Sequence, residues 1–259
     1  MKLASCVMSG AGKVRRINQD NYYLNGIYRD SNPTASTEVY TDEVYSGNAL
    51  YALADGLGGE SYGEAASFLA VSHLNEITAP VTIDKFQRYL ENCNQEVLHF
   101  IRTHGEIRGG STFVGLSIHD QIAEVVNIGD SRAYLFRDGV LRQLSTDHTQ
   151  ISQLMKTGLI TPECARTHPG RHQLSQYLGV SPEEMIIEPD AAQEEVQSGD
   201  LFLLCSDGLY EMVEEFRIER ILSASARVKE KTIALYELAM RFGGKDNTTV
   251  ILVGVEKER

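Results

Sequence analysis

Between Ser111 and Leu144 the chain reads "STFVGLSIHDQIAEVVNIGDSRAYLFRDGVLRQL". Four short apolar runs rich in β-branched and aromatic residues are broken by "HDQ" and "RDG", and Asp-Gly between such runs is a strong hairpin signal. The stretch predicts an antiparallel meander. Residues 3–9 and 21–28 read as two earlier strands, Ala49–Ala54 as a third, 200–206 as a buried strand and "TTVILVGVE" as the last. Helical patterns run over about 61–78, from near Thr82, over about 211–224 and over 229–242. In the second of these, Phe86, Tyr89, Leu90, Cys93, Val97, Leu98 and Ile101 form one apolar stripe at helical spacing, which core packing explains without a ligand. The "GG" at 243–244 ends the last helix as a C-cap.

Antiparallel strands with helices gathered in pairs imply an α+β layer fold. Two antiparallel β-sheets packed as a sandwich and flanked by pairs of helices, four layers in all, use every element. Residues 29–48 are polar and turn-rich and read as a hairpin excursion or loop. Residues 148–190 read as helical and loop-like, punctuated by Gly158, Pro162, Pro169 and Pro182. No repeat and no low-complexity linker divides the 259 residues, so residues 1–259 are expected to form one domain with an insert at about 148–190.

A hydrophobic content of 42% marks a folded chain, not a disordered one, and a net charge of −12 makes it a poor general binder of nucleic acid or anionic membrane. The cysteines at 6, 93, 164 and 205 have neither metal-ligand nor redox spacing, so reduced thiols in a cytoplasmic protein are expected. No apolar stretch has the length of a membrane span. The opening "MKLASC" has a lipoprotein-like end, but two residues before it are too few for a signal peptide, and the stretch reads as a first strand.

An acid meets a strand end five times. Asp20 precedes a strand in "INQDNYYL", and Asp55 ends one in "YALADG". Asp130 sits between two in "VVNIGDSRAYL". Asp207 follows one in "LLCSDG", and Asp246 precedes one in "GGKDNTTVIL". In antiparallel pairs the end of one strand lies beside the start of the next, so all five can line one rim. Five converging carboxylates repel one another strongly unless something neutralises them. Divalent cations do this well, and oxygen-only ligands select Mg²⁺ or Mn²⁺. Glycine behind the acid lets the backbone approach and its carbonyl join the ligands. A lone Asp-Gly after a strand is more often a turn or a helix cap, and spacing alone leaves both readings open. No serine sits in a nucleophile elbow, "FGGKDNTT" lacks P-loop spacing, and the seven histidines show no catalytic pattern; His148 and His168 sit in loops.

The ordered set resembles the metal-dependent serine/threonine protein phosphatases of the 2C type, the PPM family, in their compact bacterial form. The pieces are "VRRINQDNYYL", "YALADGLGGESYGEAAS", "GGSTFVGLSI", "VVNIGDSRAYLFRDGVLRQLSTDHT", "GLITPECARTHPGRHQLSQYLG", "LFLLCSDGLYEMV" and "GGKDNTTVILV", and they span the chain almost end to end. The resemblance implies one phosphatase catalytic domain with a flap-like insert. It implies hydrolysis of phosphoserine and phosphothreonine in proteins by direct attack of a metal-bridging hydroxide. Two Mn²⁺ or Mg²⁺ ions are implied, with Asp55 bridging them, the Gly56 carbonyl on one, and Asp207 and Asp246 holding the other. Asp20 would hydrogen-bond metal-held water, and Arg15 would grip the substrate phosphate. Asp130 matches a third, weaker metal position, and Glu211 stands where the family has aspartate. Phosphorylated proteins and a cognate Ser/Thr kinase are the implied partners, and a cytoplasmic monomer the implied state.

The sequence departs from the family at four more places. Gln19 replaces a glutamate beside Asp20, and Leu57 stands where some relatives have histidine. His172 and Gln176 replace asparagine and arginine in the flap-like segment. Gln19 and Glu211 favour one rival, a pseudophosphatase that binds phosphoproteins without turnover. A second rival is a metal-dependent phosphatase of small metabolites.

Overall fold

The protein, a computed structural model, is described over residues 1–30, 36–45, 47–57, 62–161, 164–165 and 168–256. Twelve strands are defined among the described residues: β1 (Lys2–Gly10), β2 (Asp20–Leu24), β3 (Ile27–Tyr28), β4 (Glu38–Val44), β5 (Ala49–Asp55), β6 (Phe113–His119), β7 (Ile122–Ile128), β8 (Arg132–Arg137), β9 (Val140–Gln143), β10 (Asp190–Glu195), β11 (Leu201–Cys205) and β12 (Thr248–Glu256). They form two six-stranded antiparallel sheets. The first runs β4-β1-β12-β11-β8-β9 and the second β10-β7-β6-β5-β2-β3. The predicted α+β sandwich is the observed architecture.

Period-two alternation builds three layers of core. In β5, Tyr51 and Leu53 enter the layer between the sheets, while Ala52 and Ala54 face the helices outside. In β12, Ile251 and Val253 enter the inter-sheet layer, while Val250 and Leu252 face the opposite way. Strands buried on both faces need apolar residues at every position. That is why "LFLLC" and "TTVILVGV" read as continuous runs.

Helix α1 (Gly63–Ser72) and helix α2 (Ile83–Thr103) cover the second sheet. Phe86, Leu90, Val97 and Ile101 of the predicted stripe are buried against Ala52, Ala54 and Phe113. Helix α3 (Gln150–Lys156) lies between β9 and β10. Helices α4 (Asp207–Tyr210), α5 (Glu215–Leu222) and α6 (Val228–Arg241) follow β11, and Ile218, Leu222, Leu235 and Ala239 join the core outside the first sheet. Gly243 and Gly244 take positive φ (129° and 51°) directly after Phe242, the C-cap of α6.

Five sequence expectations are corrected. The strand expected over 21–28 is a hairpin, because Asn25 and Gly26 adopt left-handed φ (46° and 98°) and reverse the chain between β2 and β3. Much of the excursion at 29–48 is a strand, β4, which pairs along β1 as the edge of the first sheet; its residues 31–35 and 46 lie outside the described set. The stretch 111–144 is not one meander. β6 and β7 belong to the second sheet and β8 and β9 to the first, so Gly129–Ser131 is a crossing between sheets. The helix expected over about 61–78 is α1 followed by a single 3₁₀ turn at His73–Glu76, with Ser61 outside the described residues. The helix expected over 211–224 is the shorter α5, Glu215–Leu222, with α4 ending before it at Tyr210. Within 148–190, residues 162–163 and 166–167 also lie outside the described residues, as do Gly58 and Gly59 of the "GLGG" segment. Cys6, Cys93, Cys164 and Cys205 are all free thiols. Among the described residues no helix is long and apolar enough to cross a membrane.

Candidate metal centre

Strand register brings the acids to one edge of the sandwich. Asp20 opens β2 and lies opposite Asp55, the last residue of β5. In the first sheet, Cys205 at the end of β11 pairs with Arg132 at the start of β8 and with Val250 near the start of β12. The neighbours of those ends are Asp207, Asp130 and Asp246.

Asp20 is fully buried. Its Oδ2 accepts hydrogen bonds from Ser206 Oγ at 2.8 Å and Thr249 Oγ1 at 2.7 Å, so a carboxylate from the second sheet is held by two hydroxyls of the first. Its Oδ1 is buried with no hydrogen-bond partner among the described residues. Burial pushes the Asp20 carboxyl up to about 6, against the pull of the two hydroxyl donors. Asp55 is pushed well above the usual carboxylate range, first by desolvation and then by Asp20, Asp207, Asp130 and Asp246. Asp207 is pushed up in the same way, by burial and then by Asp130, Asp246, Asp20 and Glu211. Asp130 rises to about 7 through burial and then Asp147. Asp55 and Asp207 thus both feel Asp20, Asp130 and Asp246 in a poorly solvated space.

Backbone contacts fix this rim. Asp55 donates its N–H to Thr112 Oγ1 at 3.0 Å, and its carbonyl accepts from Thr112 N at 2.8 Å and Ser111 Oγ at 2.9 Å. Gly56 N–H donates to the Gln19 carbonyl at 3.1 Å, and a Cβ at Gly56 would stand 2.2 Å from the Gly63 carbonyl oxygen. Only glycine fits there. Gly208, one residue after Asp207, is equally constrained, because a Cβ would stand 2.0 Å from the Asn247 carbonyl oxygen. Asn247 Oδ1 accepts from Gln19 N at 2.8 Å, and its Nδ2 donates to the Ala11 and Ile17 carbonyls at 3.2 and 2.8 Å. The loop after β1 is thereby tied to the loop before β12.

Arg15 lies on that loop, and its Nη2 meets Asp246 Oδ2 at 2.7 Å. Asp246 Oδ1 accepts from the N–H of Asn247 at 2.8 Å. Asp130 sits in the crossing between sheets, with its carbonyl accepting from Tyr210 Oη at 3.0 Å. Arg132 stacks 3.7 Å over the Tyr210 ring and grips Asp147 through Nε and Nη2. Glu211 faces Arg171 at 3.7 Å. Gln19 Nε2 donates to Glu64 Oε2 at 3.3 Å, so a carboxylate does stand beside position 19. Beside the rim opens a cavity of about 680 Å³, lined by Arg132, Tyr210, Glu211, Arg171, His172 and Phe216. Gln176 points elsewhere and caps the Glu188 N–H at 2.9 Å.

The donor set fits hard divalent cations. It is all oxygen, it is overcharged, and it includes a buried carboxylate oxygen with no partner. Among the described residues no three His, Cys, Asp or Glu side chains already close around a cation-sized space. Asp246 and Glu211 are engaged by Arg15 and Arg171 instead. The sequence reading missed Ser206, Thr249, Asn247 and Gly208. Of these, only Gly208 carried a local signal, as the second Asp-Gly after a strand.

The chain is similar to known proteins along nearly all of its length. A family model described as protein phosphatase 2C matches residues 40–240. The chain is 34% identical over 253 residues to the serine/threonine phosphatase stp of Listeria monocytogenes, covering 93% of this chain and 92% of that one. It is 34% identical over 262 residues to the protein phosphatase PhpP of Streptococcus pneumoniae, covering 97% of each. The crystal structure of the Mycobacterium tuberculosis serine/threonine phosphatase PstP superimposes with a TM-score of 0.82 at 31% identity, covering 99% of this chain and all of that one. A structure of the PstP catalytic domain in complex with two manganese ions superimposes with a TM-score of 0.79 at 30% identity and the same coverage. With the family model matching well over half of the chain and relatives this similar along nearly all of it, the chain belongs to the protein phosphatase 2C family and is a metal-dependent phosphoprotein phosphatase.

Proposed function

We propose that the chain hydrolyses phosphoserine and phosphothreonine esters in proteins at the carboxylate rim, and that residues 1–259 work as one catalytic domain with a flap at about 148–190. The observation that carries this reading is the rim itself: beyond burial, Asp20, Asp130 and Asp246 push the carboxyls of both Asp55 and Asp207 upward, and Asp246 meets Arg15. Asp55, the Gly56 carbonyl, Asp207 and Asp246 would hold two Mn²⁺ or Mg²⁺ ions, and Asp130 with Glu211 a weaker third. When bound, the ions supply Lewis acidity, offsetting phosphoryl charge and making a nearby water more acidic.

The remaining work falls to the chain's own groups. Arg15 binds two phosphoryl oxygens with its planar fork, swinging from Asp246 on a side chain that is 41% exposed. Asp20 Oδ1 accepts a hydrogen bond from the attacking water and orients it in line with the ester bond, while Ser206 and Thr249 hold Oδ2 in place. The 680 Å³ cavity accommodates the substrate chain beside the phosphorylated residue. The partner class is phosphoproteins marked by a Ser/Thr kinase, and the working state a cytoplasmic monomer.

The test is a panel of phosphoserine, phosphothreonine and phosphotyrosine peptides and sugar phosphates, each with Mn²⁺. Preference for the first two supports the reading. Preference for sugar phosphates overturns it in favour of a metabolite phosphatase.

A further inference from the structure

One buried cation behind the rim is not used by the mechanism above. The turn at Asn25 and Gly26 sends β3 back along β2, and Arg29 then lies beside the residues that open β2. Arg29 is 5% exposed. Asn21 clamps its backbone in both directions, with Oδ1 accepting the Arg29 N–H at 3.1 Å and Nδ2 donating to its carbonyl at 3.1 Å. The guanidinium Nη2 donates to the main-chain carbonyls of Asn18, at 2.7 Å, and Asp20. Nε and Nη1 are buried with no hydrogen-bond partner among the described residues.

A guanidinium removed from water with donors left over carries a large desolvation cost unless negative charge lies close by. Two carbonyl contacts are weak compensation for a full charge. Arg29 holds the backbone of Asp20, whose Oδ1 is buried without a donor, and the guanidinium charge draws the Asp20 carboxyl downward through space, a small pull against the larger push of burial. Asn18 and Asp20 belong to one chain of hydrogen bonds across the sandwich. Asn18 Nδ2 donates to Ser9 Oγ at 2.9 Å, Ser9 Oγ meets Thr249 Oγ1 at 2.7 Å, and Thr249 Oγ1 donates to Asp20 Oδ2 at 2.7 Å. The carbonyls that fix the guanidinium therefore belong to residues 18 and 20, which present the acid to the rim.

We propose that Arg29 is the resident counter-charge of the carboxylate rim, a positioning residue that acts through Asp20 to keep the acids assembled without cations and so tempers the rim's affinity for them. This rests on the reading of the rim as the metal centre. It predicts the opposite of what a packing residue would do: removing the charge makes the rim more negative, so cations bind more tightly.

The experiment compares the wild type with Arg29→Met, Arg29→Gln and Arg29→Lys, alone and combined with Asp20→Asn. Mn²⁺ binding is read by calorimetry, and the thermal midpoint is read in chelator and in excess Mn²⁺. The neutral variants are expected to melt lower in chelator, to gain more on adding Mn²⁺ than the wild type does, and to bind Mn²⁺ about threefold or more tightly. Arg29→Lys should keep the wild-type affinity. With Asp20→Asn, the change from arginine to glutamine should lose most of its effect. Equal or weaker Mn²⁺ binding by a folded neutral variant overturns the proposal, as does an effect of the same size without the Asp20 charge. If Arg29→Met fails to fold, Arg29→Gln decides. If the wild type binds no Mn²⁺, the metal-centre reading fails, and the chelator midpoints with and without Asp20→Asn still decide the role of Arg29.

Discussion

Asp20 and Asp55 form a cross-strand pair, the first residue of β2 against the last of β5. Like charges placed directly opposite destabilise a sheet. Here two more acids, Asp130 and Asp207, press on the same space. The arrangement is unfavourable for the protein alone and favourable for the protein with cations, and several measurable consequences follow from that difference.

Metal-free stability should fall as pH rises across the physiological range. Asp20 is raised from 3.8 to about 6 and Asp130 from 3.8 to about 7, while Asp55 and Asp207 lie well above 3.8. Between those values the folded protein holds protons that the unfolded chain has released. Their contribution to stability is therefore complete below about pH 4 and is lost as pH rises through the folded values. In chelator the thermal midpoint should be higher at pH 5 than at pH 8, and excess Mn²⁺ should shrink the difference. A midpoint that rises with pH in chelator would contradict this.

Thr249→Val keeps the side-chain shape and removes one of the two hydroxyls on Asp20 Oδ2. Leaving a buried carboxylate short of a donor costs about 1–3 kcal/mol. Denaturant unfolding in Mn²⁺ should show that loss, and Mn²⁺ affinity should weaken by about tenfold. Ser206→Ala should act similarly through the 2.8 Å contact.

Gly56→Ala and Gly208→Ala each force a methyl into backbone, 2.2 Å from the Gly63 oxygen and 2.0 Å from the Asn247 oxygen. The chain must shift, at a cost of about 1–3 kcal/mol. Both glycines adjoin proposed metal ligands, so both variants should lose Mn²⁺ affinity and activity while remaining folded.

Arg15→Lys retains the charge and loses the two-pronged fork. KM for a phosphopeptide should rise on the order of tenfold, the equivalent of one charged hydrogen bond, with a smaller change in kcat. An unchanged KM would remove Arg15 from the phosphate site.

The layer fold was legible because hairpin turns and the α2 stripe are local signals. The split of β6–β9 between two sheets was not, since a two-residue turn and a crossing between packed sheets both read as "IGDS". β10 went unread because "DAAQEE" is an acidic edge strand, held by pairing with β7 and not by strand propensity. The five aspartates could be read from the repeated pattern of strand, acid and turn. The hydroxyls that hold Asp20 could not, because Ser206 and Thr249 meet it across more than 180 residues of sequence. Arg29 was invisible for the same reason: its role depends on a hairpin that the sequence reading took for a single strand.

The most direct test is hydrolysis of a phosphothreonine peptide by the purified protein, in chelator, in Mg²⁺ and in Mn²⁺, with Asp207→Asn alongside. The rim as a catalytic metal centre predicts turnover only with metal and its loss in Asp207→Asn. Turnover in chelator, full metal-dependent activity in Asp207→Asn, or no turnover with either metal from a folded protein would contradict it.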